Sequence, residues 1–194
     1  VAVDSKGHVY IADGGNNVVW KLDSETGTIS VAAGQLKQSG STKKGDGGPA
    51  TSATLSSITD VAVDSADNLY ISDTGFNVIR KVDNNTGIIS TFAGTGQSSS
   101  STGDGLAAAN AILAAPRGIV FDAADNLYIA DYLHNRIRVV SATTGIMTTV
   151  AGNGLATGFS GDGGPATTAS IAAPTDVALD KTGNSIDARI AMMA

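Results

Sequence analysis

The sequence predicts an all-β protein made of β-propeller blades, each of four antiparallel strands. About three blades form an incomplete ring, joined by glycine-rich linkers. Three observations predict this. One segment recurs as VAVDSKGHVYIAD (Val1–Asp13), VAVDSADNLYISD (Val61–Asp73) and IVFDAADNLYIAD (Ile119–Asp131), and VALDKTGN (Val177–Asn184) begins it a fourth time. The leading aspartates Asp4, Asp64, Asp122 and Asp180 stand 60, 58 and 58 residues apart. Within each copy the apolar residues alternate with a period of two, in runs too short for helices.

Each copy divides into four strands, a to d. In the second copy they are TDVAVD, NLYISD, NVIRKVD and GIISTFAG. β-Branched residues fill them, and alternation puts Leu69 and Ile71 on one face and Tyr70 on the other. Asp-Asn and Thr-Gly pairs separate the strands and supply turn conformations. Solenoid repeats are shorter or helical, so the length and strand count favour blades. The expected boundaries are about 1–57, 58–115 and 116–173. A fourth blade starts at 174–184, and 185–194 is a divergent tail, because SIDARIAMMA departs from the pattern where LYIAD is due.

The string D-x-x-x-N-L-Y-I-x-D-x-x-x-N-x-I-R, followed by I-x-T-x-A-G, resembles the NHL repeat over roughly residues 1–184. The resemblance implies a propeller, usually of about six blades. It does not fix a function, since NHL proteins include protein- and RNA-binding modules, receptor sensor domains, extracellular proteins and a few lyases.

Composition narrows the classes. Of 194 residues, 18 are acidic and 12 basic, for a net charge of −6. No basic run exceeds two residues, as at Lys43-Lys44, so no nucleic-acid partner is expected. The absence of cysteine excludes disulfides, thiolate catalysis and cysteine-bound zinc. No run of about 18 apolar residues is present, so no helical membrane insertion is expected. The chain opens inside a strand and reads as a mature or trimmed piece of something longer.

Between strand d and the next strand a lie GDGGPATSATL (Gly45–Leu55), GDGLAAANAIL (Gly103–Leu113) and GDGGPATTASI (Gly161–Ile171). The expectation is a cap and a turn or two of helix. Asp46, Asp104 and Asp162 would accept backbone N–H groups, and Leu55, Leu113 and Ile171 would pack the linker down. One carboxylate per loop suits calcium poorly, since calcium takes about six to eight oxygens. A phosphate cradle would need a following Lys-Ser/Thr.

Asp13, Asp73 and Asp131 end strand b and are expected to bond the b–c turn backbone, because equivalent copies argue for structure over catalysis. His8 and His134 fall at different strand positions and share no metal site. No G-x-S-x-G elbow occurs. No catalytic residue, metal or cofactor is therefore expected. Trp20 replaces Arg80 and Arg138 on strand c and reads as packing. Asn84-Asn85-Thr86 is a glycosylation sequon in a c–d turn, and Ser98–Thr102 is a polar insert or an O-glycan site.

Strand alternation places the b–c turns on the same end as the linkers. The turns vary from Gly14-Gly15-Asn16 to Thr74-Gly75-Phe76 and Tyr132-Leu133-His134. Thr74, Phe76, Tyr132, Leu133 and His134 are the candidate binding residues, with packing beneath the linkers as the alternative. The expected function is a non-catalytic extracellular or cell-surface interaction or structural module. Its partner would be a protein, a glycan or other copies of itself, with blade 3 of one copy against blade 1 of the next. The alternative is a fragment of a propeller lyase or lactonase-like enzyme with a central metal.

Overall fold

The computed structural model describes residues 1–36, 45–97, 99, 102–155 and 160–180, and the backbone of 186–187. Among them are three four-stranded antiparallel sheets, each paired in chain order. Blade 1 holds β1 (Ala2–Val3), β2 (Val9–Asp13), β3 (Val18–Leu22) and β4 (Ile29–Ala33). Blade 2 holds β5 (Val61–Val63), β6 (Leu69–Asp73), β7 (Val78–Val82) and β8 (Ile89–Ala93). Blade 3 holds β9 (Pro116–Phe121), β10 (Leu127–Asp131), β11 (Arg136–Val140) and β12 (Met147–Ala151). A hairpin of β13 (Ala178–Leu179) and β14 (Ile186–Asp187) follows, so a second strand pairs within the segment read as a divergent tail.

Register repeats from blade to blade. Ile11 faces Trp20, Ile71 faces Arg80 and Ile129 faces Arg138. The pairing of third and fourth strands slips at one equivalent step in every blade, just before Trp20, Arg80 and Arg138. Such irregularities re-aim a side chain, and here they precede the residues that matter most below.

Alternation explains the stacking. Leu69 and Ile71 enter a cluster with Tyr10, Val19 and Ala33 of blade 1. Tyr70 and Ile79, from the opposite face of blade 2, join Ile119, Leu127, Ile129 and Met147 of blade 3. Tyr70 meets Phe92 and Phe121 edge-on, at 5.0 and 4.8 Å. Each blade thus buries one face on its predecessor. In blade 1 the corresponding row is open: Val3, Leu22 and Ile29 are 59%, 36% and 59% exposed, whereas Val82 and Ile89 of blade 2 are 9% and 0% exposed.

The linkers depart from expectation. Each makes a single 3-10 turn, Ala50–Ser52, Ala108–Asn110 or Ala166–Thr168, and no side chain caps it. Asp46, Asp104 and Asp162 are therefore not helix caps. The reason lies in the linker backbone, which runs along the outer strand of the following blade. Gly47 N–H donates to Ile89 O (2.9 Å) and Ile89 N–H donates to Gly48 O (3.0 Å). An extended edge of this kind cannot also be helix, and it releases the aspartate to reach inward. Leu55 and Leu113 are buried as expected.

Candidate functional site

The repeated aspartates converge on a buried arginine. Arg80 has no exposed surface, and its Nη2 meets Asp46 Oδ1 while its Nη1 lies 3.3 Å from Asp73 Oδ2. Thr91 Oγ1 donates to Asp46 Oδ2 (2.7 Å). Asp73 Oδ1 accepts the Ser56 N–H (2.8 Å). Blade 3 repeats the set: Arg138 pairs with Asp104 (2.6 Å) and Asp131 (3.2 Å), Thr149 donates to Asp104 (2.7 Å), and Ala114 N–H donates to Asp131 (2.8 Å). Asp73 and Asp131 thus accept from the end of the linker, and Asp131 also meets the His134 side chain of its own b–c turn. Asp13 accepts the expected turn N–H, from Asn16 (3.0 Å), and its other oxygen takes the Trp20 Nε1–H (3.0 Å). This constellation locks blade to linker and leaves those carboxylates committed to protein partners.

The two histidines are in different blades. His8 Nδ1 accepts the Ser24 N–H (3.1 Å), the role taken by Asn68 toward Asn84 and by Asn126 toward Ala142. His134 is buried, with Nδ1 2.8 Å from Asp131 Oδ2 and Nε2 2.7 Å from Ser99 O. Both neighbours are acceptors, so both ring nitrogens are satisfied only in the imidazolium. The hydrogen bond to Asp131 raises the His134 pKa above its ordinary value, against the cost of burial. A raised folded-state pKa contributes stability that is fully present below the unfolded value of about 6.5 and is lost as pH rises through the folded value. His134→Phe, which installs the residue blade 2 carries at Phe76, is expected to remove this contribution. Its melting temperature should fall short of the parent protein's at pH 5.5 and converge on it at pH 9. A constant gap across that range would count against the clasp.

A second polar cluster lies where the first strands of the blades begin. The first strands β1, β5 and β9 touch in succession, so their starts meet on the b–c end of the molecule. There Thr59-Asp60, Arg117-Gly118 and Thr175-Asp176 line a pocket of about 270 Å³. Gly118 is required by close approach, since a Cβ there would sit 2.6 Å from Asp176 Cα. Its N–H donates to Thr175 O (3.1 Å). Asp60 Oδ2 accepts the Ile119 N–H (2.9 Å). Burial raises the Asp60 pKa, opposed by the N–H groups of Ile119 and Val61 and by the Val1 ammonium at 3.7 Å, and nearby Asp176 raises it further. The Arg117 guanidinium lies over the Tyr132 ring at 3.7 Å, and among the described residues its Nε, like those of Arg80 and Arg138, is buried without an acceptor.

Of the five candidate binding residues, two support this pocket. Tyr132 carries Arg117, and Thr74 Oγ1 bonds both Pro116 O (2.5 Å) and Thr59 Oγ1 (2.8 Å). Phe76 is half-buried, His134 is committed to Asp131, and Leu133 is an exposed tip. Sequence reasoning missed Asp60, Arg117 and Asp176. A signal was available in aligned register: Thr-Asp, Arg-Gly and Thr-Asp open otherwise apolar strands. Asn84 is exposed, while Ser98, Ser100 and Ser101 lie outside the described residues. Among the described residues no three His, Asp or Glu side chains cluster as a metal site.

No protein-family model and no curated protein matches the chain. Solved structures do. A structural genomics protein of unknown function from Bacteroides thetaiotaomicron superposes with a TM-score of 0.70 at 23% identity, over 93% of this chain and 41% of the other. An auxiliary nutrient binding protein from Bacteroides ovatus gives 0.63 at 20%, over 93% and 42%. A streptogramin B lyase gives 0.58 at 15%, over 94% and 44%. The neighbours are six-bladed-propeller-like proteins, and the likeness shows the fold. This chain spans less than half the length of these three structures.

Proposed function

We propose that the chain is part of an NHL-type propeller that acts as a non-catalytic, extracellular or cell-surface binding module, with its ligand seated at the axial pocket. The observation that carries this reading is the convergence of Asp60, Asp176 and Arg117 with Thr59 and Thr175. A cation and two carboxylates line one small cleft. Convergent polar groups of this sort, not bulk area, give a pocket its specificity. The mixture of donors and acceptors matches a hydroxyl-rich glycan or a polar protein loop. The nutrient-binding neighbour supports ligand binding as a role for the fold. The lyase neighbour motivates a catalytic alternative, but the histidines sit on Ser24 and Asp131, away from the axis.

The test is a panel of neutral and acidic oligosaccharides and of extracellular-matrix proteins, applied to the parent protein and to Arg117→Met. A ligand bound by the parent and lost by at least about tenfold in the variant, the scale of a charged hydrogen bond, supports the site. Equal binding by both moves recognition elsewhere on the b–c face. A mass change in the bound compound would favour the lyase reading.

A further inference from the structure

The contact between successive blades is made twice, and the two versions differ at one place. Between blades 2 and 3 the rings of Phe92 and Phe121 close on Tyr70, at 5.0 and 4.8 Å. Between blades 1 and 2 the aligned positions hold Ala32, Val63 and Tyr10. A methyl and an isopropyl group thus stand where two aromatic rings plug the other contact. A pocket of about 200 Å³ opens beside Tyr10 and Ala32, and Leu69 and Val82 complete its apolar wall.

Polar groups with spare capacity edge this wall. Asp83 and Asn84 of the c–d turn line the pocket, where blade 3 has Ser141 and Ala142. Asp83 Oδ1 accepts the N–H groups of Asn85 (3.0 Å) and Thr86 (2.9 Å) and the Thr86 hydroxyl (2.9 Å). Among the described residues Asp83 Oδ2 and the exposed Asn84 carboxamide make no hydrogen bond. Lys21 Nζ lies 5.6 Å from the centre of the Tyr10 ring. Among the described residues it has no carboxylate within reach, whereas the equivalent Lys81 has Asp64 at 4.0 Å.

We propose that this pocket between blades 1 and 2 binds one ring of a neutral sugar. A pyranose presents an apolar C–H face and an edge of hydroxyls. The wall offers the face one aromatic and three aliphatic side chains. The rim offers the edge an acceptor at Asp83, a donor and an acceptor at Asn84, and a donor at Lys21. A few convergent polar groups over an apolar lining are what orient a small ligand. The volume lies below about 300 Å³, the lower end for drug-sized ligands, so the pocket takes one ring and not a chain. Charge selects a neutral ligand. An anion would meet Asp83 and Asp67, which also lines the pocket, and a cation would meet Lys21. The pocket shares no lining residue with the axial one and lies at the opposite end, among the a–b and c–d turns, so it stands apart from the reading proposed above.

The test uses the protein made without glycosylation, so that Asn84 is unmodified. Its amide NMR signals are followed as glucose, galactose, mannose and N-acetylglucosamine are added singly. At least one sugar is expected to shift the signals of Lys21, Ala32 and Asn84 in a saturable way. Ala32→Phe installs the residue that blade 2 carries, and it should raise the melting temperature and abolish the shift. Lys21→Met should weaken binding by about tenfold and Asn84→Ala by about threefold, the scales of a charged and a neutral hydrogen bond. These two rim changes leave the apolar wall intact and decide the matter even where Ala32→Phe fails to fold. Arg117→Met, at the axial pocket, should bind the sugar as the parent protein does. Loss of binding in that variant would move the sugar to the axis and overturn the proposal. Unchanged binding in both Lys21→Met and Asn84→Ala would overturn it too. So would the absence of a saturable shift with all of the sugars, and a higher melting temperature for Ala32→Phe would then mark the pocket as a packing gap only.

Discussion

Arg80→Met is expected to destabilise the protein by about 3–5 kcal/mol, the scale for removing one partner of a buried ion pair. At this chain length that is a fall in melting temperature of about 6–20 °C. The physical reason is what stays behind. Asp73 is fully buried and keeps the Ser56 N–H, but it loses its guanidinium. Asp46, on the linker, loses the contact that ties it inward and keeps Thr91. Arg80→Lys should recover little, because one ammonium cannot reproduce two guanidinium nitrogens each directed at a separate carboxylate. Arg138→Met should behave alike in blade 3, where His134 still donates to Asp131 and softens the loss below its raised pKa. Chemical denaturation with an unchanged m-value would measure both. A cost below about 1 kcal/mol for Arg80→Met would mean that Asp46 and Asp73 are satisfied without it.

Asp60→Asn is expected to raise stability at neutral pH while weakening whatever the axial pocket binds. Burial raises the Asp60 pKa. A carboxylate with a raised folded-state pKa adds stability below its unfolded value of about 3.9, and that contribution is lost as pH rises through the folded value. At pH 7 the ionised group is therefore a net cost, which a neutral amide avoids while still accepting the Ile119 N–H. Loss of a charged hydrogen bond to ligand should cut affinity by about 10–100-fold. The two signs together separate a residue kept for binding from one kept for folding. A variant that loses stability at pH 7, or that binds unchanged, would remove Asp60 from the site.

Much of the fold was legible because its determinants are local and recur. Alternation in NLYISD places Leu69 and Ile71 against one neighbour and Tyr70 against the other, and the structure sends them to those two clusters. The linker was less legible. Glycine, proline and a short alanine-rich run suit a capped helical turn, and nothing within the segment itself reveals that its backbone pairs with strand d some forty residues later, as Gly47 does with Ile89. For the same reason the bond of Asp73 to Ser56 could not be read from the turn beside it.

By itself the sequence determined the blade: four strands, their faces, their turns and the period that repeats them, because each follows from alternation and turn chemistry within a few residues. It also determined that Asp13, Asp73 and Asp131 are equivalent, and that the b–c turns share an end with the linkers. Only the tertiary structure decided what those aspartates touch, and that Thr59-Asp60, Arg117-Gly118 and Thr175-Asp176 meet at one pocket. Those pairs are 58 residues apart in the chain. They become neighbours because stacked blades bring equivalent positions to a common axis, and their chemistry depends on a burial that no single repeat possesses.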